Sequence, residues 1–142
     1  MKLRWMPRPR TSAPVPRSIS ILRPEAQVHM VEAREKRHFF QRAACRALGL
    51  VNAHPVLARI EERPVGGADW VFAQAVGPIE DVIVAMVPYA RAGGRLVVPG
   101  SDRLREPRVV DQLDGRVLPY RSPLLGQPHR FWLGTRQRDA AD

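Results

Sequence analysis

Apolar and polar positions alternate in "VHMVE", where Val28 and Met30, with the neighbouring Val31, lead to Glu32, and this period predicts a strand over about 27–32. The period then changes. From Arg34 to Leu48 the apolar residues Phe39, Phe40, Ala43, Ala44, Ala47 and Leu48 recur at helical spacing, with Lys36, Arg37, Arg42 and Arg46 on the other side and Gly49 placed for a C-terminal cap. "AHPVLA" reads as a short strand near 53–58 that Pro55 pushes toward a sheet edge. "RPVGGAD" is a loop and "DWVFAQ" a buried strand. Pro78 suits the first turn of a helix whose inner face is Ile79, Val82, Ile83, Met86 and Val87, and Pro88 ends or bends it. "RAGG" turns the chain into "RLVV".

Strand, helix, strand, strand, helix, strand is the alternation of an α/β fold with a largely parallel sheet. The chain's end differs: "GRVLPYRSP" and "HRFWLGTRQ" are strand-like, and "LLGQP" between them leaves no room for a helix, so they are expected to pair as an antiparallel hairpin. Before Ser18, Pro7, Pro9, Pro14 and Pro16 forbid a continuous helix or central strand. The expected organisation is an irregular basic arm over 1–17, an α/β domain over 18–136 and a tail over 137–142.

Composition narrows the function. The 142 residues amount to one domain, and no run approaches the about 18 apolar residues a membrane helix needs. "MKLRWMPRPR" has a signal peptide's charge without its apolar stretch, so a cytoplasmic chain is expected. Cys45 is alone and the four histidines are scattered, which predicts neither disulfide nor metal site. The net charge is +9, and Lys2, Arg4, Arg8, Arg10, Arg17 and Arg23 precede the first acid. Such an arm seeks phosphates, and RNA is the favoured acidic partner, although a GC-rich genome or a merely solvated tail would give the same composition. Trp5, Trp70, Trp132 and Phe131 offer stacking surfaces, with Trp70 and Trp132 expected in the core because they fall in strands.

Glu32 has two readings. At the end of a strand in an open α/β sheet, an acid is placed to accept hydrogen bonds from the hydroxyls of a ribose; equally, it is an ordinary acid ahead of a helix N-terminus.

Four stretches decide between them. "SISILRPEAQVHMVEAREKRHFFQRAACRALGL", "ARIEE", "VFAQAVGPIEDVI" and "ARAGGRLVVPG" occur in the order and at the approximate spacing of the bacterial small-subunit ribosomal RNA guanine-N7 methyltransferases, the glucose-inhibited division protein B family, which the chain resembles over residues 18–136. The resemblance implies a class I S-adenosylmethionine-dependent methyltransferase fold, Rossmann-like, with a C-terminal antiparallel hairpin. By the same resemblance Glu32 matches the acid on the cofactor ribose, and Ile60 and Glu61 match the pair beside the adenine, although Glu61 and Glu62 read equally well as a solvated turn. Gln74 stands where the family usually carries an arginine facing cofactor and substrate, and being neutral it lacks the charged fork. Pro99 stands where a lysine is common. No catalytic residue is assigned.

The largest departure is upstream. The family's first strand, at the centre of its sheet, ends in a glycine-rich loop of the type DVGSGAGLPG, over which the cofactor passes. Here "TSAPVPR" occupies that place. Codons for Thr-Ser-Ala-Pro-Val-Pro read one base earlier can give Asp-Val-Gly-Ser-Gly-Ala, so a shifted reading frame up to about residue 17 is one explanation. The implied partners are ribosomal RNA or the small ribosomal subunit, with the chain a monomer and its methyl transfer impaired or lost. A non-catalytic, basic RNA-binding or ribosome-associated protein is the rival.

Overall fold

The computed structural model describes residues 15–74, 78–108 and 111–138. Most of the expected basic arm, with Trp5, lies outside them, as does the end of the tail. The chain divides into two compact units, Lys2–Pro64 and Val65–Asp142.

In the first unit, helix α1 (Val15–Leu22) begins inside the stretch expected to be irregular and leads to β1 (Val28–Glu32). Helix α2 (Glu35–Ala47) follows, then β2 (Ala53–Leu57) and a 3-10 turn (Ile60–Glu62). β1 and β2 pair in parallel, with Met30 opposite Pro55 and Glu32 opposite Leu57. They form a sheet of two strands, so Pro55 is indeed on an edge. Asn52, one residue before β2, fastens α1 to this sheet: its buried amide donates to the carbonyls of Ser20, Arg23 and Ala26 at 3.1, 3.2 and 2.9 Å.

The end of α2 follows from Gly49. With φ at +64° it adopts a conformation that costs other residues strain, and it lets the Gly49 amide reach Arg46 O at 3.1 Å and the Leu50 amide reach Cys45 O at 2.9 Å. Leu50 then packs against the cluster of Met30, Cys45 and Ala53.

The apolar arc read from the sequence does not face inward. The buried residues of α2 are His38, Gln41 and Cys45, while Phe39 and Phe40 are 57% and 53% exposed and Leu48 is exposed as well. Phe39 to Leu48 spread over about half the helix circumference at 100° per residue, more than a support two strands wide can cover. The helix instead seats a narrow stripe one turn apart, anchored by Cys45 and Leu50.

The second unit is one sheet in the order β3-β4-β6-β5. β3 (Ala68–Phe72) runs parallel to β4 (Ala90–Gly100); β6 (Pro128–Arg136) is antiparallel to β4 and to β5 (Leu113–Arg121), which completes the expected hairpin. Helix α3 (Ile79–Met86) buries Val82, Ile83 and Met86, and Val87–Tyr89 tightens into a 3-10 turn at Pro88. Leu96, Val98 and Val71 form the apolar core with them. Trp132 is buried over Gly115 and Gly134, where a methyl group on either glycine would overlap the indole. Trp70, by contrast, is 46% exposed rather than in the core. It sits on the face opposite Val71, stacked on Phe72 with ring centroids 6.0 Å apart and the Arg95 guanidinium 5.0 Å from its ring.

Candidate cofactor-binding site

Each strand of a parallel sheet delivers its last residues to the carboxyl edge, and Glu32 is the last residue of β1. Its side chain is 5% exposed. Oε1 accepts the Arg34 amide at 2.9 Å, which pins the carboxylate at the turn into α2. Oε2 is buried without a hydrogen-bond partner, the nearest cation being Arg37 Nη1 at 4.0 Å. A carboxylate oxygen so placed is costly unless a donor reaches it.

The next strand ends at the same edge, where the Ala58 amide donates to Glu32 O at 3.2 Å. Two residues on, the 3-10 turn carries Ile60, buried, and Glu61, exposed. The turn closes with the Arg63 amide on Ile60 O at 3.2 Å, Arg63 itself at positive φ. Glu32, Ile60 and Glu61 therefore belong to one unit and to the carboxyl ends of adjacent parallel strands. Gln74 belongs to the other unit, exposed just after β3, and Pro99 lies within β4.

The chemistry of the donor set fits the ribose and adenine part of a nucleoside cofactor: a buried acceptor for hydroxyls, then a turn with an apolar side chain and a carboxylate. Among the described residues of this unit nothing comparable is present for the methionine end. The first glycine of the chain is Gly49, so no glycine-rich loop precedes it.

Two buried polar residues of α2 carry no signal in the apolar pattern. His38 Nδ1 and both amide atoms of Gln41 are buried without partners on the inner stripe of α2. Burial pushes the His38 imidazole below its ordinary value of 6.5, with the Arg42 cation adding to the shift and Glu32 opposing it. Neither residue has a sequence signal, because a polar side chain at an apolar position looks like noise in a periodic pattern. No group of His, Cys, Asp and Glu able to hold a metal occurs among the described residues, and no described helix is long and apolar enough to cross a membrane.

Parallel strands with helices, an acid at the end of one strand and a terminal antiparallel pair together define the α/β fold of S-adenosylmethionine-dependent methyltransferases. Solved structures share it: cofactor-bound Rv0187 from MTB superposes with a TM-score of 0.62 at 18% identity over 82% of this chain and 64% of that one. TrmN from Thermus thermophilus gives 0.60 at 16% identity over 86% and 40%.

The family is narrower. Residues 17–111 match the model of rRNA small subunit methyltransferase G, and the chain belongs to that family. Ribosomal RNA small subunit methyltransferase G of Geobacter metallireducens is 36% identical over 90 residues, 61% of this chain and 41% of the relative. That of Deinococcus deserti is 30% identical over 137 residues, 87% and 56%. The chain thus spans from about a third to little more than half the length of the curated relatives it matches.

Proposed function

We propose that the chain carries the nucleoside half of an S-adenosylmethionine site from a methyltransferase acting on guanine N7 of small-subunit ribosomal RNA, and that methyl transfer by this chain is impaired or absent. The observation that carries the proposal is the buried Oε2 of Glu32, which has Arg37 at 4.0 Å but no hydrogen-bond donor, in the position the family gives to the ribose acid. Glu32 would hold the ribose through both hydroxyls, Ile60 would lie against the adenine, and Glu61 would accept from its exocyclic amine.

S-adenosylmethionine, when bound, supplies a methyl group on a positively charged sulfur. The accepting N7 carries no proton, so the protein has no proton to remove and its contribution is alignment. That explains why no acid–base constellation is needed. It also explains why losing the loop matters, since misplacement by about 1 Å can cost on the order of a hundredfold in rate. Gln74, neutral where a cation is usual, would further weaken the grip on a carboxylate or phosphate.

Titration calorimetry tests this directly. Affinity for S-adenosylmethionine should be much weaker than micromolar, yet lowered further by Glu32→Ala. Micromolar binding by the unmodified chain would show that some other segment completes the site.

The rival reading, a non-catalytic RNA-binding protein, is supported by the charge distribution. Residues 1–64 hold 13 of the 23 cations and 5 of the 14 acids, and so +8 of the net +9.

A further inference from the structure

Helix α2 turns a narrow polar stripe toward its sheet, and this leaves an unusual face outside. Lys36, Phe39, Phe40, Ala43, Arg46 and Ala47 are exposed, with Arg42 exposed at its flank. Lys36, Arg42 and Arg46 have no acid partner among the described residues, and the one acid of the helix is Glu35 at its start. On the flank toward α1 the Arg17 guanidinium lies over the Phe40 ring, 5.2 Å from its centroid. One side of that ring is therefore already covered by a planar cation.

We propose that the outer face of α2 binds an unpaired stretch of RNA, with Phe39 and Phe40 stacking on bases and Lys36, Arg42 and Arg46 neutralising the adjoining phosphates. The proposal deepens the ribosomal-RNA reading above by giving the substrate a surface of its own, apart from Glu32. Three physical points carry it.

Two phenylalanines more than half exposed cost free energy in water, which a partner with flat apolar faces removes. Cations without acids draw a polyanion, and α2 lies in the part of the chain that holds nearly all of the net charge. Thirdly, the helix's 100° per residue places Lys36 between Phe39 and Phe40 in projection. Ring, ammonium, ring suits a strand in which base and phosphate alternate. It does not suit an acyl layer, where an interfacial helix needs an uninterrupted apolar face. Unpaired RNA is favoured over duplex because the A-form helix hides its bases from side chains.

The test uses the full chain and a labelled oligouridylate of about a dozen nucleotides, followed by anisotropy over a range of KCl concentrations without S-adenosylmethionine. Replacing Lys36, Arg42 and Arg46 together by alanine should weaken binding at least tenfold and lower the slope of log affinity on log salt by about 2, three phosphates at ~0.7 each. Phe39→Ala with Phe40→Ala should weaken binding about tenfold and leave the slope unchanged. Arg42→Lys with Arg46→Lys, which keeps both charges and guards against loss of fold, should keep the slope.

Wild-type slope and affinity in the triple variant would overturn the proposal. So would binding to phosphatidylglycerol vesicles with none to the oligonucleotide. Cofactor titration of the same proteins separates the two readings. RNA binding through α2 without cofactor affinity keeps this surface and removes the role of Glu32, and the reverse result does the opposite.

Discussion

Asn52 ties α1 to the first sheet, and nothing in the sequence marks it. A single buried amide serves the carbonyls of Ser20, Arg23 and Ala26, so Asn52→Ala removes the donor they share at the junction of α1 and β1, although Arg23 O keeps the Ala26 amide at 2.9 Å. The expected loss is about 2 kcal/mol, measurable as a lower urea midpoint with an unchanged slope. His38 should act through pH instead. Its folded value lies below 6.5, so just below that pH the unfolded chain binds more protons than the folded one, and stability falls as pH drops. The melting temperature should decline between about pH 7.5 and 5.5, and His38→Leu, which removes the titrating group from a buried position, should reduce that decline. An equal decline in the variant would assign the acid sensitivity to other groups.

At the scale of elements, the sequence was legible wherever one face decides burial. β1, β2, β3 and the hairpin of β5 and β6 stand where alternation and turn residues placed them, and α3 buries the Val82, Ile83, Met86 stripe its spacing implied. α2 was legible as a helix and not as an oriented one. The width of its support is a tertiary fact, and a support two strands wide leaves Phe39 and Phe40 outside. Trp70 failed for the related reason that a strand has two faces, and alternation alone does not say which one α3 covers. Glu32 was legible as the acid that ends a strand, whereas the burial of its Oε2 without a hydrogen-bond donor could be seen only in three dimensions. The hairpin carries its own prediction. Trp132 lies in the space left by Gly115 and Gly134, which pair across β5 and β6, so Gly134→Ala forces the indole to move. We expect at least about 2 kcal/mol of destabilisation, together with a changed near-ultraviolet circular dichroism signal from the displaced tryptophan. A variant as stable as the parent would mean that the ring has room elsewhere.

For the molecule as a whole, the telling feature is what each sheet lacks. Among the described residues β1 pairs only with β2, and β3 pairs only with β4, so both parallel strands have one edge without a strand partner. In the family this chain belongs to, the first strand occupies the centre of the sheet and its glycine-rich loop underlies the cofactor; here the first glycine is Gly49. Under the function proposed above, the lack of any glycine before Gly49 is what would leave the cofactor site half complete. An experiment that supplies such a loop tests that reading. Replacing residues 1–18 with a family-type first strand and DVGSGAGLPG loop is expected to raise the melting temperature, because the open edge of β1 gains a hydrogen-bonded partner, and to bring S-adenosylmethionine affinity into the micromolar range. Glu32→Ala in the repaired chain should abolish that affinity while leaving the melting temperature nearly unchanged, since the ribose contact is lost and the sheet is not. Should the repaired chain become more stable without gaining affinity, the loop geometry alone would not explain the weak site, and the neutral Gln74 would be the next position to restore, as arginine.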